Sequence, residues 1–170
     1  ILTSSGHLYN GQIKGSPYIY MDGQAVFKFA VKSLTAIAKD LLAKVGMASS
    51  EINWMICLSL HKLLLRFGID ASVKWPNDVY VGSRKIAGVL IENQIEGNRI
   101  SWVIAGIGLN VNQCQFETPN ATSMKLQIQT EIRIKTILNE LTDILNGYLL
   151  NWNSVESLLK AAYELLLYQK

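Results

Sequence analysis

The sequence predicts an α+β fold, a mixed or antiparallel β-sheet flanked by helices. Two observations carry this. Apolar residues recur at helical spacing at both ends of the chain and switch to period two in the middle. The period-two segments are separated by short glycine-bearing turns, which favour antiparallel neighbours in a meander.

The elements follow in order. Residues 1–16 are polar, without a period, and read as loop or frayed terminus. Residues 24–45 read as a helix, with Phe27, Ala30, Val31, Leu34, Ile37, Ala38, Leu41 and Val45 on one face and Gly46 as its stop. Ser49-Ser50-Glu51 reads as a short polar link. A second helix is expected over 55–67, on Ile56, Leu60, Leu63, Leu64 and Phe67, stopped by Gly68. His61 lies within it and is assigned a structural or solvent-facing place. Strands are expected over 71–81, 84–93 and 100–111, with turn chemistry at Val81-Gly82-Ser83 and Glu96-Gly97-Asn98. A polar loop over 113–130 precedes helices at 131–150 and 154–168, with Asn153 or Ser154 as the cap of the last.

Composition narrows the function classes. The chain is 49% hydrophobic and 17% charged, as in an ordinary globular protein long enough to bury a core. A net charge of +3 lacks the clustered basic signature of nucleic-acid binding, so no nucleic-acid partner is expected. No apolar run suits a membrane span, and the first residues do not resemble a signal peptide. Cys57 and Cys114 have neither metal-ligand spacing nor a disulfide framework, and read as free thiols in a reducing, cytoplasmic setting. Asn120-Ala121-Thr122 matches a glycosylation sequon by chance. A start at Ile1 rather than Met points to a fragment.

Three stretches carry candidate chemistry. In Lys74-Trp75-Pro76-Asn77-Asp78, a proline that cannot donate to a ladder breaks a strand beside a cation, an aromatic ring and two turn-forming polar side chains. The plain alternative is an ordinary strand end. In the stretch 84–91, Lys85 opens an apolar strand and Gly88 lies three residues on; a ligand's close approach competes with a snorkelling lysine and a bulge. In the stretch 106–112, Gly106 and Gly108 allow close approach to the backbone, and Asn110 can hydrogen-bond a bound group. This is neither a dinucleotide fingerprint nor a P-loop. Together Lys74, Lys85, Gly106, Gly108 and Asn110 fall on neighbouring strands, an arrangement suited to an anionic ligand such as a nucleoside triphosphate.

KWPNDVYV, RKIAGVLIEN and WVIAGIGLNVN closely resemble the central motifs of biotin protein ligases, a resemblance running from about residue 55 to the C-terminus. It implies a fold related to class II aminoacyl-tRNA synthetases and lipoate ligases. It implies a two-step reaction: biotin and ATP form biotinyl-5′-AMP and pyrophosphate, and a lysine of a biotin carboxyl carrier protein then displaces AMP. By resemblance Lys85 contacts the biotin carboxylate and adenylate phosphate and is the catalytic residue. Lys74, Asn77 and Asp78 lie near the phosphates, Trp75 near the ligand and Gly88 beside the biotin pocket. Gly106, Gly108 and Asn110 border the nucleotide. ATP with Mg2+ is implied, the ion near Asp78 and Asn110 without direct protein ligation, and a homodimer is allowed.

Two departures matter. The upstream GRGRxGRxW loop and TSTN stretch of that family are not found, nor is its C-terminal small barrel. Residues 17–54, through Tyr20-Met21-Asp22-Gly23 and Ser50-Glu51-Ile52-Asn53-Trp54, instead resemble a C-terminal segment of β-ketoacyl-acyl-carrier-protein synthase III, without its Cys or PHQAN. The expected organisation is a 1–54 synthase-like segment and a 55–170 partial ligase catalytic domain, joined near Trp54–Met55. The rival functions are a non-catalytic remnant that keeps the fold, with weak nucleotide or biotin binding, and a ketoacyl synthase-like protein.

Overall fold

The computed structural model describes residues 7–9, 12–14, 47–96 and 99–167. The helix expected over 24–45 lies outside the described residues. Within residues 1–16, where loop was expected, β1 (His7–Tyr9) pairs antiparallel with β2 (Gln12–Lys14) in a small hairpin.

Helix α1 spans Ser49–Arg66. It begins earlier than the apolar pattern suggests, because Ser49-Ser50-Glu51 forms its first turn rather than a link. The Glu51 carboxylate accepts the Ala48 N–H at 2.6 Å, satisfying a donor left over at the helix start. The helix ends at the expected stop: Gly68 takes a left-handed φ of +73°, the Gly68 N–H donates to Leu65 O at 2.9 Å and Ile69 N–H to Leu64 O at 3.0 Å. The Trp54–Met55 step falls inside this continuous helix. His61 Nδ1 lies 2.7 Å from Ala71 O, tying the helix to the segment that follows, which fits its expected structural place.

The sheet is an antiparallel meander, β3-β4-β5-β6, made of β3 (Ser72–Lys74), β4 (Asp78–Val81), β5 (Arg84–Glu96) and β6 (Arg99–Leu109). The expected strand over 71–81 is therefore two strands. Pro76 ends the first, and the chain turns back within Trp75–Asn77, so that Lys74 pairs with Asp78. The segment over 113–130 was expected as loop but holds the short helix α2 (Met124–Ile128). Ser123 caps it, accepting the Leu126 N–H at 3.2 Å. Buried Met124 supplies the tertiary contact that a polar reading misses.

Helices α3 (Ile134–Leu150) and α4 (Trp152–Leu166) close the described chain. Only Asn151 separates them, so α4 starts before the expected cap at Asn153 or Ser154. Trp152, 3% exposed, packs into the core as the helix's first residue. Val73, Val79, Ile86, Ala87, Val89, Ala105, Ile107 and Leu109 line the buried face of the sheet, and α1 packs there with Ile56, Leu60, Leu63 and Leu64. The opposite face carries polar residues, glycines and the exposed Leu90 and Ile104.

Leu63 has no exposed surface. Leu63→Ala is expected to cost about 3 kcal/mol, whereas truncating Leu158, 68% exposed on α4, should change stability by less than about 0.5 kcal/mol. Urea unfolding of both variants checks this.

Candidate active site

The register of the sheet assembles the site. Lys74 pairs with Asp78, Asp78 with Gly88, and Gly88 with Gly108, so four predicted site residues form one row across all four strands. Gly106 follows on the same face, opposite Leu90. Leu90 is 60% exposed and Ile104 43%, so this face offers an apolar patch beside a glycine floor.

Lys85 reaches the row through a β-bulge. Strict alternation along β5 would put Lys85 on the same side as Ala87 and Val89, which are buried. The register shifts between Val79 and Tyr80, so Ile86 and Ala87 both turn inward and Lys85 comes opposite Tyr80 on the open face. The bulge lies at Ile86, not at Gly88 as the plain reading had it. Lys85 Nζ then lies 2.6 Å from Asp78 Oδ1. Its backbone is pinned on the other side, the Lys85 N–H donating to Asn120 O at 2.8 Å and the Thr122 N–H to Lys85 O at 2.9 Å.

Gly88 leaves room for the ion pair. A Cβ there would sit 3.1 Å from Asp78 Oδ1 and 3.2 Å from Lys85 Cε and Nζ, closer than ordinary contact. At Gly106 the nearest atoms would be Leu90 O at 3.7 Å and Leu90 Cβ at 3.8 Å, which a methyl tolerates.

The remaining predicted residues divide by what they touch. Asn77 is held by β5: its Nδ2 donates to Val89 O at 2.6 Å, and Val89 N–H returns a bond to Asn77 O at 2.8 Å. Asn110 Nδ2 donates to Thr122 O at 3.0 Å, which ties the end of β6 to the strand-like segment beside Lys85. Both amides therefore order backbone around the site. Trp75, 74% exposed, stands out from the turn. Lys74 Nζ lies 5.2 Å from the Tyr80 ring centroid, within cation–π range.

Sequence reasoning missed the residues that hold the turn from beneath. Asn53 Nδ2 donates to Pro76 O at 2.6 Å, and the Tyr163 hydroxyl donates to the same oxygen at 2.8 Å. No local spacing links these residues, which lie 23 and 87 positions from Pro76. Cys57 is buried on α1, and burial, aided by the Asp78 charge, pushes its thiol up to about 12. Cys114 is exposed. Among the described residues no group of three His, Cys, Asp or Glu gathers to hold a metal ion.

An antiparallel four-stranded sheet with helices packed against it matches the fold of biotin protein ligases. The chain belongs to the Biotin/lipoate A/B protein ligase family, whose model matches residues 21–110. The apo structure of biotin protein ligase from Aquifex aeolicus is similar at 26% identity and a TM-score of 0.61, over 71% of this chain and 54% of that one. The same enzyme in complex with biotin and ATP matches at 25% identity and a TM-score of 0.60, over 70% of this chain and 51% of that one. This chain thus spans about half the length of these solved relatives. A separate likeness is to β-ketoacyl-[acyl-carrier-protein] synthase III of Laribacter hongkongensis. It is 46% identical over 56 residues, which is 33% of this chain and 18% of that protein.

Two predictions follow from this geometry. Gly88→Ala is expected to part Asp78 from Lys85 while costing the fold less than about 1 kcal/mol, because flexible side-chain ends can move aside. Urea titration and the Lys85 ammonium resonance check it. As pH rises from the thiol's ordinary 9.0 towards about 12, the unfolded chain ionises Cys57 while the folded protein keeps it neutral, so the folded state is progressively disfavoured. Stability is fully present below that window and is lost through it. Unfolding midpoints between those pH values should fall, and below them a thiol reagent should label Cys114 in the folded protein but leave Cys57 unmodified.

Proposed function

We propose that this chain belongs to an enzyme that joins biotin to a lysine of a biotin carboxyl carrier protein, through biotinyl-5′-AMP. One observation carries the reading: the row Lys74–Asp78–Gly88–Gly108, with Lys85 turned onto it, lies beside exposed Leu90 and Ile104. A cation, a floor without side chains and an apolar flank suit a ligand with an anionic end and an apolar body. Family membership and the likeness to a ligase solved with biotin and ATP support the same choice.

In the first step the biotin carboxylate attacks the α-phosphorus of ATP and pyrophosphate leaves. In the second the carrier lysine attacks the adenylate carbonyl and AMP leaves. Lys85 is the catalytic residue, stabilising negative charge that builds at the α-phosphate. Its pair with Asp78 is partly exposed, with 43% and 27% of the side-chain surfaces accessible, so it is weakly held and can yield to a phosphate. Lys74 adds a second cation for the phosphates, and Trp75 offers a ring beside the ligand. Gly88 borders biotin, while Gly106 and Gly108 admit the nucleotide. Asn77 and Asn110 keep the surrounding backbone in place.

Mg2+ would arrive with ATP. A single carboxylate, Asp78, fits an ion held mainly by substrate phosphates and water, and the ion would neutralise phosphate charge. The carrier protein is the proposed macromolecular partner, a homodimer is an allowed assembly, and the cytoplasm is the proposed location. Among the described residues no helix is long and apolar enough to cross a membrane. We also take residues 55–170 as the partial ligase catalytic domain and residues 1–54 as a synthase-like segment, joined within α1.

Lys85→Ala is expected to abolish biotin-dependent release of pyrophosphate from ATP, a loss of at least about 100-fold, with the unfolding midpoint little changed. Equal adenylate formation by variant and parent would remove Lys85 from its role. Absence of pyrophosphate release by the parent chain would favour the non-catalytic remnant.

A further inference from the structure

The Trp75–Asn77 turn carries Lys74 and Asp78 at its two ends, and the support of its Pro76 carbonyl comes from outside the motifs. That support comes from two helices far apart in sequence. The Pro76 carbonyl accepts from Asn53 on α1 at 2.6 Å and from Tyr163 on α4 at 2.8 Å, using both of its lone pairs. Of the two donors, Tyr163 is itself braced. The Trp54 and Tyr163 rings lie 5.9 Å apart at 34°, and Lys160 Nζ sits 5.9 Å from the Trp54 centroid. On the next residue, Asn77 exchanges two bonds with Val89, one position beyond Gly88. Asp78 then meets Lys85 at 2.6 Å. A continuous path runs from the helices through Pro76 and Asn77 to the Asp78–Lys85 pair.

We propose that Asn53 and Tyr163 are positioning residues: by clamping the Pro76 carbonyl they fix the turn that sets Asp78, and through it Lys85, on the open face of the sheet. The inference rests on the ligase reading for its effect on turnover, though not for its effect on the turn. It also gives the junction a consequence. Asn53 and Trp54 precede the proposed boundary at residue 55 yet lie within the residues 21–110 that the ligase family model matches, so support for the site comes from both sides of that boundary.

The test compares Asn53→Ala and Tyr163→Phe with Ser59→Ala in the full chain. Tyr163→Phe removes the hydroxyl and keeps the ring on Trp54. Ser59 lies on the same helix α1 and donates to Met55 O at 2.7 Å in full burial, a bond within the helix rather than to the turn, so its variant reports the cost of a lost structural bond. Two readouts are taken. One is hydrogen exchange at the Val89 amide, which donates to Asn77 O. The other is kcat and KM for biotin-dependent pyrophosphate release. The expected result is about tenfold faster Val89 exchange and about tenfold lower kcat in both clamp variants, with Ser59→Ala near the parent in each. If Val89 exchange in the clamp variants matches Ser59→Ala, the proposal is overturned. It is equally overturned if exchange rises while kcat holds, because the clamp then orders the turn without serving the site. Should the parent chain release no pyrophosphate, the ligase reading fails separately, and Val89 exchange alone decides whether the clamp holds the turn.

Discussion

The site depends on a single irregularity in the sheet. β4 and β5 lose register between Val79 and Tyr80, and the extra residue turns Ile86 and Ala87 inward together. Without that bulge Lys85 would share a face with Val89, where an ammonium would be buried without a partner at a cost of several kcal/mol. With it, the lysine lies over Gly88 and finds Asp78. The absent side chain at Gly88 gives the pair its room, because a methyl there would stand within 3.2 Å of both side chains and make them shift.

This arrangement divides the sheet's two faces between stability and chemistry. The inner face presents β-branched and other apolar residues to α1, and these residues are almost wholly withdrawn from water. The outer face presents cations, glycines and two exposed aliphatic side chains. The helices nevertheless reach the outer face through backbone, since the Pro76 carbonyl lies at a strand end where Asn53 and Tyr163 can meet it. The parallel bridge of Lys85 to Ala121 does the same from the other side, using the segment before α2. Site geometry is thus set by hydrogen bonds from three non-adjacent parts of the chain.

Much of this was legible in sequence. The change from helical to period-two spacing located α1, the meander and the two closing helices, and Gly68 marked the α1 stop where the structure has it. The motif residues Lys74, Asp78, Lys85, Gly88 and Gly108 do converge on one face. The failures have physical causes. Glu51 capping the Ala48 N–H extended a helix into what read as polar link. Buried Met124 and Trp152 drew polar-looking neighbours into helix, a tertiary effect that local spacing does not encode. The bulge was invisible because Ile86 and Ala87 suit either face. The clamp was invisible because its donors lie far from the turn along the chain. Asn77 and Asn110 also order backbone, each amide donating one bond, to Val89 O and Thr122 O, a role their spacing did not announce.

On the proposed function, the open face of this sheet selects biotin and a nucleotide. Thermal unfolding of the full chain with biotin plus Mg-ATP, set against lipoate plus Mg-ATP, tests it most directly. At about one hundred times the dissociation constant, biotin with nucleotide should stabilise the fold by about 2.7 kcal/mol, which is a rise of several degrees, and lipoate should add nothing beyond Mg-ATP alone. A rise with lipoate and none with biotin would contradict the account and assign the site to the other acid of the same family.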